Sequence, residues 1–126
     1  MSLVADASAI LAVVEEEPGS ESLRPLLAGA SVSAVNLSEA AAKLLERKFS
    51  EAEVRGKLGR LLLEVHPFDG TAAFAAASLR PSTRHLGLSL GDRACLALAQ
   101  RLRLPVLTGD RAWASLTIGI EIRLFR

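Results

Sequence analysis

Short apolar runs alternate with helix-length segments along this whole chain, and that alternation decides its class. The runs "SLVA", "SVSAV", "EVHPF", "PVLTG" and "IEIRLF" each read as a strand. Strands separated by helices imply a mostly parallel sheet of about five strands, covered on both faces. The expected fold class is therefore α/β.

The intervening segments carry their own start and stop signals. Ser8 is placed to cap a helix through "AILAVVEEE", which Pro18-Gly19 stops. A second helix is expected over "SESLRPLLAG". After the strand "SVSAV" comes "NLSEAAAKLLERKF", with Leu37, Ala41, Leu44 and Leu45 near helical spacing, and then "SEAEVRGKLGRLLL". Asp69 caps "DGTAAFAAASL". The basic, breaker-rich "RPSTRHLGLS" reads as the clearest loop, followed by a long helix "LGDRACLALAQRLRL" and a short one, "DRAWASL". No linker or low-complexity tract divides residues 1–126, so one domain is expected.

Half of the residues are hydrophobic, enough for a packed core, yet no apolar run approaches the roughly 20 residues of a membrane span. The opening "MSLVADAS" lacks the basic n-region of a secretory signal. The single cysteine, Cys95, builds no disulfide framework and is expected in the core. A cytoplasmic location is the expectation. Residues 1–40 hold six acids against one base, whereas residues 41–126 hold eight acids against fourteen bases. A basic majority around a few acids suits a polyanionic substrate, although a solvated surface of mixed charge explains it equally simply.

Four of the acids fall where such a sheet binds ligands, near the carboxyl ends of its strands. Asp6 follows "LVA" and Asp110 follows "PVLTG"; Glu39 and Asp92 lie in the first turns of "NLSE" and "SLGD" helices. Converging carboxylates repel one another and need protons or a cation at neutral pH. Oxygen donors without nearby thiols or imidazoles favour Mg²⁺ or Mn²⁺. The competing reading is local. Asn36–Glu39 and Ser89–Asp92 have capping-box spacing, Asp110 can cap "RAWASL", and Asp6 can serve the first helix dipole. Spacing alone leaves the two readings level.

Other motifs lack their context. "GLSLG" matches a nucleophile elbow, but no strand precedes it, and both His66 and His85 lie upstream of Ser89, which reads better as a helix cap. No glycine-rich nucleotide loop is present. A receiver domain would need a late Lys, but the last is Lys57; an Asp-nucleophile phosphatase would want Asp where Ser8 stands. Trp113 is expected to pack the last short helix, with base stacking as its alternative. The repeated "GDRA" at 91–94 and 109–112 extends into no longer repeat and reads as a shared way of starting a helix.

Taken together, these motifs resemble the PIN-domain family, and within it the small VapC-type toxins of toxin–antitoxin pairs. "LVADASAIL" is similar to the family's opening strand and Asp-x-Ser/Thr, at Asp6 and Ser8. "VSAVNLSEAAAKL" supplies the helical Glu39, "LSLGDRACLALAQRL" the third acid Asp92, and "LPVLTGDRAW" the Thr108, Asp110 and Trp113 of the closing motif. The likeness covers nearly the whole chain and implies a three-layer α/β/α sandwich.

It also implies a Mg²⁺- or Mn²⁺-dependent endoribonuclease, with tRNA or rRNA as frequent targets. A homodimer and a cognate antitoxin that binds operator DNA are further implications. Asp6 and Asp92 would be the main metal ligands, Glu39 and Asp110 would complete the site, and Ser8 and Thr108 would orient it through their hydroxyls. Arg93 and Arg111, next to two of the acids, depart from the smaller or apolar residues common there. Arg80, Arg84, His85 and Arg93 are candidates for gripping RNA, on charge alone. The rivals are a non-catalytic RNA- or protein-binding module of the same fold, and a phosphatase or DNA nuclease using the same acids.

Overall fold

The architecture is that of a computed structural model, which describes residues 2–126. Met1, where the single domain is expected to begin, lies outside them. Five strands form one sheet: β1 (Val4–Ala5), β2 (Ser31–Ser33), β3 (Glu64–His66), β4 (Val106–Thr108) and β5 (Ile122–Leu124). Their order is β3-β2-β1-β4-β5, and all four pairings are parallel, so the expected "mostly parallel" sheet is fully so.

Among the described residues seven α-helices occur: α1 (Ala7–Val14), α2 (Arg24–Leu27), α3 (Ala34–Glu46), α4 (Glu51–Gly59), α5 (Gly70–Ser78), α6 (Arg80–Thr83) and α7 (Leu90–Leu102). Short 3₁₀ turns cover Ser20–Ser22, Arg84–Leu86 and Arg111–Ser115. Successive side chains of a strand point to opposite faces. Leu3, Ala5, Val32 and Leu107 accordingly enter one core with residues of α1, α2, α3 and α4. Val4 and Val106 enter a second core with residues of α5 and α7 and with Trp113. Two helical layers around one sheet make the three-layer α/β/α sandwich. Among the described residues, no helix is long and apolar enough to cross a membrane.

The direction of the connections places the site. From β1 the chain steps to β2 and on to β3, always toward one edge, through helices on one face. It then returns across the sheet to β4 and β5 through the other face. Strand order therefore reverses between β1 and β4, and a crevice opens beyond their carboxyl ends.

Several local expectations are corrected. Asp6, not Ser8, caps α1, by accepting from the Ala9 amide. β2 ends at Ser33, whose hydroxyl accepts from the Val35 amide, so α3 starts before Asn36 and that residue is no cap. The segment "SESLRPLLAG" splits into a 3₁₀ turn and a one-turn helix. Most of "RPSTRHLGLS", read as a loop, is helical: α6 and the Arg84–Leu86 turn occupy residues 80–86. Pro81 lies in the first turn of α6, where its missing N–H costs nothing. The Ser89, Asp69 and Asp110 caps stand as read. Cys95 is fully buried.

Candidate functional site

Asp6 is the deepest of the four acids. It follows β1 and is 7% exposed. Its Oδ1 accepts from the Ser8 hydroxyl at 2.7 Å and the Ala9 amide at 2.9 Å, and its Oδ2 accepts from the Thr108 hydroxyl at 2.5 Å. The two hydroxyls are themselves held. Ser8 Oγ accepts from the Gly109 amide at 3.0 Å, and Thr108 Oγ1 from the Asp110 amide at 3.0 Å. Each hydroxyl thus donates to Asp6 and accepts from the chain beyond β4, which fixes one carboxylate against two strand ends. Oδ2 takes a single donor here and keeps acceptor capacity.

Asp92 is half-buried in the first turn of α7. Its Oδ2 accepts from the Ser89 amide at 3.0 Å while Ser89 Oγ accepts from the Asp92 amide at 3.2 Å, a complete capping box. Asp110 is exposed and caps the turn that holds Trp113, accepting from the Ala112 amide at 3.0 Å. Both acids thus serve as helix caps, as the local reading expected. Glu39 is exposed on α3, and its Oε1 accepts from Asn36 Nδ2 at 3.1 Å.

All four acids line one cleft of about 470 Å³ at the switch point, together with Asn36, Lys43, Gly109 and Arg126. Burial pushes the Asp6 carboxyl above its ordinary range, its three hydrogen bonds oppose that, and the Asp92 charge adds to the rise. Beneath the cleft, burial pushes the Cys95 thiol well up, and the charges of Asp6, Asp92 and Glu39 add to it.

Among the described residues, no three His, Cys, Asp or Glu side chains form a ready-made metal cluster. The donor set nevertheless fits a hard cation. Its donors are the carboxylates that line the open cleft, and Asn36 Oδ1 nearby is a buried oxygen with no partner among the described residues. Mg²⁺ keeps much of its water shell and is ordinarily held through one or two carboxylates. An open cleft lined by carboxylates matches that habit better than a closed cage would.

The structure also separates residues that the sequence had grouped. Arg80 and Arg84 are exposed on α6 and the turn after it, and neither lines the acidic cleft; nor does the exposed His85. Arg93 turns into the protein, its guanidinium donating to the Ala76 carbonyl at 3.2 Å. Arg111 is exposed and does not line the cleft. Trp113 is 0% exposed in the second core, which removes base stacking as its role. Three cleft residues were missed. Asn36 and Lys43 flank Glu39 at helical spacing on α3, a signal present in the sequence; Arg126 arrives only because β5 pairs with β4.

The fold has close relatives in shape. VapBC2 from Rickettsia felis, solved bound to a DNA fragment from their promoter, is 17% identical with a TM-score of 0.77, covering 98% of each chain. DNA-bound VapBC from Salmonella typhimurium is 17% identical with a TM-score of 0.77, covering 100% of this chain and 99% of that one. VapC20 from Mycobacterium tuberculosis, a sarcin-ricin loop cleaving toxin, is 16% identical with a TM-score of 0.71, covering 94% and 98%. No curated protein sequence matches the chain. The PIN domain profile matches residues 3–118, nearly the full length. The chain belongs to the PIN domain family.

Proposed function

We propose that this protein is a divalent-metal-dependent endoribonuclease and the toxin of a VapBC-type pair. The observation that carries the reading is the convergence of Asp6, Glu39, Asp92 and Asp110 in one cleft at the β1/β4 switch point. The family membership and the likeness to VapBC assemblies support the biological setting, an antitoxin partner included. A cytoplasmic homodimer acting on tRNA or rRNA remains part of this proposal, and the sarcin-ricin loop cleaving toxin among its structural relatives supports an RNA target.

Asp6 and Asp92 would hold the Mg²⁺ or Mn²⁺, with Glu39 and Asp110 completing the site. When bound, the cation acidifies water and offsets charge on the attacked phosphodiester. The chain's own work is positioning. Thr108 and Ser8 aim the Asp6 carboxylate, Ser89 holds Asp92, and Asn36 holds Glu39. Because no nucleophilic side chain is needed, the burial of Cys95 and the capping role of Ser89 are consistent with the chemistry.

The test is incubation of purified protein with total RNA and Mg²⁺ or Mn²⁺, beside an EDTA control and the Asp92→Asn variant. Discrete cleavage lost in both controls supports the reading. A folded protein that cuts no RNA, or whose Asp92→Asn and Asp6→Asn variants both keep full activity, overturns it.

A further inference from the structure

The acidic cleft has two basic walls, and we propose that Lys43 and Arg126 grip backbone phosphates of the RNA on either side of the acids. The inference rests on the ribonuclease reading and names the contacts that reading lacks. A polyanion approaching four carboxylates is repelled, so binding requires cations at the cleft itself. Lys43 and Arg126 are the bases that line it.

The two walls are built differently. Lys43 lies four residues beyond Glu39 and seven beyond Asn36, which puts all three on one face of α3. It is exposed and makes no ion pair among the described residues, so its ammonium is available to a ligand. Arg126 is held in place. Its Nη1 donates to Glu17 at 2.8 Å, and its guanidinium lies 5.0 Å from the centre of the Phe125 ring. Only one of its five donors is committed to Glu17, and a planar guanidinium held this way loses little freedom on meeting a phosphate.

Gly109 leaves room for Arg126 beside the cleft. A Cβ on residue 109 would sit 2.7 Å from Arg126 Nε and 2.9 Å from the Phe125 ring, closer than either contact allows. The guanidinium lies directly against the Gly109 Cα. It therefore flanks the acids from the β4 side while Lys43 flanks them from α3.

The experiment measures binding without catalysis: fluorescence anisotropy of a short single-stranded RNA in EDTA, across a range of salt. Lys43→Gln and Arg126→Gln are each expected to reduce the slope of log K against log salt by about 0.7, and to weaken binding about fivefold near ~0.1 M salt. Lys43→Arg and Arg126→Lys should keep the wild-type slope, since charge is conserved. If the wild type binds and both Gln variants keep its slope, the inference is overturned while the ribonuclease reading stands. The inference fails equally if Arg80→Gln or Arg84→Gln loses the slope instead. A wild type that neither binds nor cuts RNA removes the ribonuclease reading and this inference with it.

Discussion

Asn36 Nδ2 donates to the Gly91 carbonyl at 2.9 Å and to Glu39 Oε1 at 3.1 Å, so one amide ties α3 to the first turn of α7 and steadies an acid of the cleft. The two helices meet closely there. A Cβ on residue 91 would fall on the Glu39 carboxylate.

Gly91→Ala should consequently separate stability from activity. Alanine favours the helix over glycine by about 1 kcal/mol, so the melting temperature should hold or rise. Glu39, a flexible side chain, moves aside, and RNA cleavage should fall about a hundredfold because a small misplacement of a reacting group is costly. Cleavage at the wild-type rate would show that Glu39's position is immaterial.

Asn36→Ala removes a buried amide that satisfies two acceptors. Urea denaturation should show a loss of about 1–3 kcal/mol, the usual cost of leaving a buried acceptor such as the Gly91 carbonyl unpaired. A loss of stability indistinguishable from zero would mean water replaces the amide without cost.

Thr108→Val keeps the shape and deletes the hydroxyl that donates to Asp6 and accepts from Asp110. Stability should fall by about 1–3 kcal/mol, and Thr108→Ser should restore most of it. Since the Thr108 hydrogen bond holds the Asp6 carboxyl down, its removal should raise that carboxyl further, which carboxylate-resolved NMR titration would detect.

Asp6→Asn carries a pH signature. The folded protein holds the Asp6 carboxyl above the ordinary value of 3.8, chiefly through burial, so folding favours its protonated form. Wild-type stability is then free of this cost below that value and loses ground as pH rises toward the folded-state pKa. In EDTA, the variant's stability relative to wild type should therefore improve from acid to neutral pH. Denaturation curves at several pH values would test it; a relative stability that worsens as pH rises contradicts the assigned burial.

Much of the site was legible because its residues sit at ends. Apolar runs finish where Asp6 and Asp110 begin, and Ser89 and Asp92 announce a helix start by spacing alone. The errors have local causes. Val35 looks strand-like, but with Ser33 as its N-cap α3 starts at Ala34, one residue before it. Pro81 looks like a breaker, yet at a first turn it begins a helix. Strand order was not legible, because nothing local at "LVA" says that it pairs with "PVLTG" a hundred residues later. Arg126 was hidden for the same reason, whereas Lys43 was readable as Glu39 plus one turn.

The Thr108–Asp6 hydrogen bond joins residues 102 apart in the chain, and the Gly109–Ser8 bond residues 101 apart. A chain emerging from the ribosome displays Asp6 and Glu39 well before the segment that orients the first of them exists, and Asp92 shortly before it. β1 gains its β4 neighbour only when nearly all of the protein has been made. The mutual hold of Asp6 with Thr108 and of Ser8 with Gly109 thus forms only once the segment beyond β4 has been made.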